Sequence, residues 1–351
     1  MKHDVIIIGA GLTGLTIAYL LQKRGIKATL IESRSRTGGR IHTIANGNNS
    51  HLELGATWFG NKHTNLKKLL DDLNIAYFEQ YQEGESTLVF NTMSQPHIFV
   101  TNPNDEKSYR IINGTKTIVD ELTRTFSGSV ILNQKIIQIS DKGSYLELTS
   151  NNDITYSANN VIVTIPQKLI PSQILFKPEL PLELIDSMKS THTWMSDSIK
   201  FFLTYKAPFW RSDGKSGMLF SQIGPVTEVY DHTNYQQNQF ALMGFINQNL
   251  RNYSKNERKA KVIAYLSKYL SMEAKNYMDY NEKDWSFDDN TSTKEAIERI
   301  NFHPSYGNPL YTNKFMNDKL YFAGTETSKI FGGYMEGAII SALNTVNLIK
   351  S

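Results

Sequence analysis

Asp4-Val5-Ile6-Ile7-Ile8-Gly9-Ala10-Gly11-Leu12-Thr13-Gly14 opens a stretch, closed at Arg40, whose reading decides the fold. Val5 to Ile8 is a β-branched run too apolar for a half-exposed strand, so both of its faces should be covered, as in a parallel sheet. In the turn that follows, Gly9 allows a tight bend, Gly11 lets backbone approach a pyrophosphate, and Gly14 lets the next helix pack closely on the strand. That helix should run to about Lys23 and stop at Gly25, its free N-terminal N–H groups and dipole favouring an anion. A second strand over 27–31 ends at Glu32, placed to hydrogen-bond a ribose 2′-OH. The whole reads as one dinucleotide-binding βαβ unit. Residues 5–21 carry no charge, but glycines spaced for phosphate contact, with Lys23 and Arg24 at the far end, argue against a signal peptide or a membrane anchor.

The rest of the composition narrows the chemistry. With 351 residues the chain is long enough for two domains, each with its own core. The 37 basic and 34 acidic side chains are scattered, without the basic block that would track a nucleic-acid backbone. There is no cysteine, which removes disulfides, thiolate nucleophiles and cysteine-ligated metals, so redox chemistry needs an external cofactor. A strand beginning at residue 5 leaves no room for a cleavable leader, and a cytoplasmic location is expected.

Downstream of Glu32, Arg34, Arg36 and Arg40 surround the pair Gly38-Gly39, an arrangement suited to neutralising a diphosphate. Gly55-Ala56-Thr57-Trp58 is a small-residue turn that lets backbone lie against a flat ring. Ile199 to Trp210 holds Lys200 in an otherwise apolar strand, on the same face as Phe202. Taken alone, Lys200 reads either as a buried ammonium, which is costly without partners, or as an edge-strand lysine facing solvent. Residues 253–278 have the pattern of one or two amphipathic helices with basic residues on the outer face. Near the C-terminus, Leu320-Tyr321-Phe322-Ala323-Gly324-Thr325-Glu326-Thr327 is followed by Gly332-Gly333-Tyr334-Met335-Glu336-Gly337-Ala338 and a final helix.

Together these motifs resemble the flavin-containing amine oxidase family in a compact, monoamine oxidase-like form. The resemblance implies an α/β protein. Its Rossmann-like FAD-binding domain would comprise 1–75, 110–167 and 301–351, and a discontinuous α+β substrate domain on a mixed sheet would comprise 76–109 and 168–300. It implies FAD on Gly9, Gly11, Leu12, Thr13 and Gly14, with Glu32 at the ribose and Arg34, Gly38, Gly39 and Arg40 at the phosphates. Ile136 would lie near the adenine, Gly55 to Trp58 before the isoalloxazine, Gly324-Thr325-Glu326 at the diphosphate and ribityl, and Gly333-Tyr334-Met335 at the pyrimidine edge. A helix start at Met335 would stabilise negative charge on the reduced ring. The flavin is expected to be non-covalent, since monoamine oxidases attach it through a cysteine and none is present.

The implied chemistry is removal of a hydride from the carbon beside an amine nitrogen, with O2 as acceptor and hydrogen peroxide as product. Tyr334 would orient the amine, while Lys200, beside Trp285, would hold a water near flavin N5. The pattern departs from the family twice. Residues 60–114 are too few for the usual helical part of the substrate domain, and the second aromatic of the amine cage falls near Ile297 or Glu298. Those departures leave open a non-amine substrate such as a dihydropyridine, an L-amino acid bound through Arg211 or Arg299, or a non-catalytic FAD-binding scaffold.

Overall fold

The computed structural model describes residues 2–45, 51–293 and 303–349. Its first sheet has eight strands in the order Ser129–Ile131, Ala28–Ile31, Lys2–Ile8, Thr155–Val163, Leu146–Ser150, Ile136–Asp141, Leu175–Lys177, with Leu320–Phe322 beside Thr155–Val163. Lys2–Ile8 lies at the centre, parallel to Ala28–Ile31 on one side and to Thr155–Val163 on the other. Val5 to Ile8 are at most 5% exposed, the burial expected of a strand covered on both faces. Thr155–Val163 changes partner along its length: Thr155 to Ala158 run antiparallel to Leu146–Ser150, and Val161 to Val163 run parallel to Leu320–Phe322. That handover brings the C-terminal part of the chain back beside the first βαβ unit.

Helix Leu12–Lys23 packs one side of this sheet, and its Leu15 and Ala18 share a core with Ile118 and Leu122 of helix Lys116–Thr125 and with Ile339, Ala342 and Val346 of helix Met335–Leu348. Gly14 makes the close approach possible, because a Cβ there would stand 2.0 Å from Gly9 O.

The second sheet has seven strands in the order Asp279–Asp284, Ile199–Tyr205, Phe240–Ile246, Val226–Asp231, Lys215–Ser221, Glu85–Val89, His97–Val100. All neighbours are antiparallel except Lys215–Ser221 and Glu85–Val89, which makes the sheet mixed. Ile199–Tyr205 is an interior strand, buried throughout, so an edge lysine facing solvent is ruled out for Lys200. Alternation sends Phe201 and Leu203 toward Val262 and Leu266 of helix Lys255–Tyr269, and Phe202 toward Leu52, Leu54 and Met243. A capping box between Ser254 and Glu257 starts that helix. Its basic residues are not all on the outer face: Arg258 turns inward and pairs with Glu282 at 2.5 Å, and both side chains are nearly buried.

One expected boundary needs adjusting. Residues 168–190 do not open the second body. Ile170, Phe176, Leu184 and Met188 pack with Ile6, Val163 and Phe322, and Leu175–Lys177 joins the first sheet, since these apolar side chains complete the layer covering its other face. The second body therefore starts beyond about residue 190 rather than at 168. Within 60–114, Tyr77–Glu79 and Ser108–Ile111 form a small sheet with Phe59–Gly60, and the one helix is Thr64–Asp72.

Candidate active site

The carboxyl ends of the first sheet open into a cavity of about 320 Å³ that extends to the second sheet. At its floor, helix Leu12–Lys23 begins after Gly11 with no side chain capping it and no acid in its first turn. The N–H groups at that end are left for an anion, and Leu12 and Thr13 line the cavity beside Gly9 and Gly11. Gly14 does not line it and serves the helix–strand contact instead. Glu32, 3% exposed, accepts N–H groups from Ala10 at 2.8 Å and Arg34 at 2.9 Å and still faces the cavity, which fixes a carboxylate where a ribose would lie. An uncapped helix start, a fixed acid and flanking glycines fit a dinucleotide.

The three arginines are divided among different tasks. Arg34 faces the cavity but is held by Asp288 at 2.5 Å and by Thr291 Oγ1 at 2.9 Å. Arg36 donates to the carbonyls of Thr37, Gly39 and Ile41, so it braces its own loop and is withdrawn from any diphosphate. Arg40 lines the cavity and makes two hydrogen bonds to Glu326, at 2.6 and 2.9 Å. Glu326 itself is 1% exposed and outside the lining, so its role is to orient Arg40 rather than to meet a cofactor. Gly38, Gly39, Ile136, Gly324 and Thr325 line the same cavity, although the Gly324 N–H is taken by Ser341 Oγ at 3.0 Å.

At the far end, Gly55, Ala56, Thr57, Trp58, Lys200, Trp285, Gly333, Tyr334 and Met335 come together. Lys200 is 3% exposed; its Nζ donates to Gly55 O at 2.6 Å and to Thr57 Oγ1, with the rings of Trp58 and Phe245 at 5.2 and 5.4 Å. Burial pushes its ammonium down to about 7, opposed by the Glu53 charge and reinforced by Arg110. Burial also pushes the Glu53 carboxyl up, against hydrogen bonds from Thr115 and Thr43 and the charge of Lys200. Trp285 is fixed by Nε1–H donation to Leu54 O at 2.7 Å, under Lys283 at 4.4 Å.

Tyr334 caps helix Met335–Leu348 and is 40% exposed. Gly333 before it has φ +86°, and a Cβ there would meet Trp194 at 2.9 Å, so only glycine allows Trp194 to press on this turn. The aromatic company of Tyr334 is Trp194 at 6.2 Å, His63 at 5.8 Å and His303, whose ring stacks on it at 5.1 Å and 6°. The cage position expected near Ile297 or Glu298 lies outside the described residues, as does Arg299. Arg211 is remote from the cavity lining: it is paired with Asp231 at 2.7 Å and laid on Tyr81 at 3.7 Å, so it is no candidate for a substrate carboxylate.

Several lining residues escaped the sequence reading, among them Trp194, Met195, Phe245, Asn290 and Thr291. Phe245 is the cross-strand partner of Lys200, a relation visible only once register is known. Trp194, one of four tryptophans and set in a polar loop, carried the one usable signal.

The profile of the family described as flavin containing amine oxidoreductase matches residues 83–350, and that of the NAD(P)-binding Rossmann-like domain matches residues 7–73. The chain belongs to the flavin-containing amine oxidoreductases. Accordingly it is a flavin-dependent oxidoreductase with FAD as its cofactor. Among curated relatives it is similar to the probable flavin-containing monoamine oxidase A of Dictyostelium discoideum, 24% identical over 99% of this chain and 97% of the relative. It is also similar to amine oxidase B of Homo sapiens, 23% identical over 96% of this chain and 84% of the relative. The first alignment runs over 459 positions against 351 residues here, so more than a hundred positions of the relative have no counterpart. Among solved structures, the fold is that of putrescine oxidase bound to putrescine (TM-score 0.82, 21% identity, 99% and 98% of the two chains). It is also that of cyclohexylamine oxidase from Brevibacterium oxydans (TM-score 0.85, 17% identity, 99% and 98% of the two chains). No helix among the described residues is long and apolar enough to cross a membrane.

Proposed function

We propose that the chain is an oxidase of apolar monoamines, using O2 as acceptor and releasing hydrogen peroxide. The observation that carries this reading is the continuity of one cavity from the dinucleotide cradle at Gly11 and Glu32 to an end walled by Trp58, Trp194, Phe245, Trp285 and Tyr334. FAD bound there supplies the hydride acceptor. Every other contribution comes from the protein's own side chains and backbone groups.

Aromatic faces exclude water and hold an apolar group by area and by ring contacts. Tyr334, backed by Trp194 and His303, orients the amine nitrogen at the cavity mouth. Lys200 is set among these rings, and its lowered proton affinity means that it can hold or release a proton near neutral pH. A neutral amine needs no protein base. The carboxylate that lines the cavity among the described residues, Glu32, stands at the cradle end, where it is hydrogen-bonded to Ala10 and Arg34.

Two further proposals follow from the composition of the site. The flavin is held non-covalently, because the chain has no cysteine. The location is cytoplasmic, a reading supported by the distribution of charge and apolar residues and tested by fractionation of the source cells. The function itself is tested by peroxide release across aliphatic and aromatic monoamines of increasing apolar area, with putrescine alongside. Turnover should rise with apolar area and be weakest for the diamine. Preference for the diamine, or no peroxide with any monoamine, would overturn the reading.

A further inference from the structure

Beside the Lys200 strand lies a second cavity, of about 420 Å³. Its rim is exposed and polar, formed by His51, Asn113, Tyr235, Gln236 and Asn238. Its floor is buried and formed by Glu53, Arg110, Thr115, His232 and Thr57, each no more than 5% exposed. Thr57 alone of these residues also lines the cofactor cavity, and it is the residue whose Oγ1 accepts from Lys200 Nζ.

On the cofactor side Lys200 is flanked by the rings of Trp58 and Phe245, which offer no group that can carry a proton. Its other partner, Gly55 O, only accepts. Lys200 itself lines the cofactor cavity, so with FAD filling that cavity the polar way from Nζ to solvent passes through the Thr57 hydroxyl. The charged groups that face Lys200 are Glu53 and Arg110, and both belong to the floor of the second cavity. His232, also in that floor, sets Nδ1 against Arg110 Nη1 at 2.8 Å. A guanidinium can only donate, so Nδ1 must accept and the imidazole is held neutral. Burial, with Arg110 and Lys200 adding, keeps its pKa well below the ordinary histidine value, so it does not compete with Lys200 for the proton.

We propose that the second cavity is the solvent entrance for the proton of Lys200, with Thr57 as the relay. At rest the Thr57 hydroxyl accepts from Lys200 and donates to Gly55 O at 3.1 Å. Rotation about one side-chain bond turns that donor toward the second cavity. An ammonium proton then passes to Thr57 Oγ1 as the hydroxyl proton passes to a water in the cavity, and the reverse path restores it. No bond between heavy atoms changes and no electron moves. The assignment rests on the proposed function only in that bound FAD closes the other route.

The test follows exchange of the Lys200 Nζ protons with water by NMR of the FAD-loaded enzyme labelled with 15N-lysine, below pH 7, the resonance being identified by its loss in Lys200→Met. Thr57→Val should slow exchange by about tenfold or more, and Thr57→Ser, which keeps the hydroxyl, should stay within about twofold of the wild type. The rim double variant Gln236→Trp/Asn238→Trp leaves Thr57 intact and should also slow it. In the protein stripped of FAD, the Thr57→Val enzyme should regain fast exchange through the opened cofactor cavity. Wild-type exchange in loaded Thr57→Val, or no effect of the rim variant, would overturn the proposal. If FAD were not the group that closes the first cavity, loaded and stripped samples would exchange alike in Thr57→Val, an outcome distinct from failure of the relay.

Discussion

Arg40 and Glu326 close on each other through two hydrogen bonds, at 2.6 and 2.9 Å, with the carboxylate 1% exposed and the guanidinium facing the cofactor cavity. Removing the carboxylate leaves the Arg40 guanidinium, 26% exposed to the cavity, without its charged partner. Glu326→Ala is expected to cost about 1.5–3 kcal/mol, the scale of hydrogen bonds to a charged group, and to loosen the cofactor, because Arg40 would lose its orientation. Chemical denaturation with a flavin-release assay checks both effects. A variant as stable as the parent and equally tight for FAD would show that the pair is incidental.

The flavin should come away from the protein without breaking a covalent bond. Acid precipitation of the yellow protein is expected to leave all of the flavin, as FAD, in the supernatant, since the chain offers no cysteine to attach it. Flavin retained in the pellet would contradict this.

Lys200 makes a prediction about stability that needs no substrate. The unfolded chain keeps this proton up to the ordinary lysine value, whereas the folded chain gives it up near pH 7. Between about 7 and 10.5 the unfolded state therefore binds more protons, and this residue's contribution makes stability rise with pH across that window. In Lys200→Met the rise should disappear, which denaturation midpoints of the flavin-free protein at pH 7 and 9 will show. In turnover, the same variant should slow reoxidation of the flavin by O2 more than its reduction by amine, as read by stopped-flow absorbance of the two half-reactions.

Tyr334→Ala should reduce turnover while FAD stays bound. The ring stands at the mouth with His303 stacked on it, whereas the turn is held by its backbone, Tyr334 O accepting from Thr325 Oγ1 at 2.6 Å. Lost orientation of the amine costs about tenfold in rate per ~1.4 kcal/mol. With the neutral amine as the reacting form, kcat/KM should climb with pH toward the pKa of the substrate, around 10 for an alkylamine. Unchanged turnover in the variant would remove Tyr334 from the site.

The parts legible in the sequence were those whose physics is local. The strand, glycine turn and helix from Asp4 to Lys23 are specified by neighbours a few residues apart, and so is the helix start at Met335. Lys200 was ambiguous because alternation tells which face a side chain takes, not whether the strand has a neighbour on each side. The retirement of Arg36 to its own loop, the pairing of Arg34 with Asp288 and the turning inward of Arg258 depend on acceptors that only the folded chain supplies. The boundary expected at 168 failed for a related reason: an apolar pattern over 168–190 does not say which of two sheets it will cover.

The short stretch after strand Asp279–Asp284 reaches back over the first sheet's end of the cavity. Trp285 donates to Leu54 O, Asp288 and Thr291 take Arg34, and Asn290 Oδ1 meets Ser33 Oγ at 3.0 Å. These contacts join the two bodies across the mouth of the dinucleotide cradle, with Asn290 and Thr291 themselves among the lining residues. A cofactor lying there is enclosed by chain on both sides, and parting of the bodies along this seam would open its way out. Its lifetime on the protein is thus a mechanical property of the seam as well as a sum of its own contacts, and Asp288→Ala, which removes the Arg34–Asp288 pair, would shorten it.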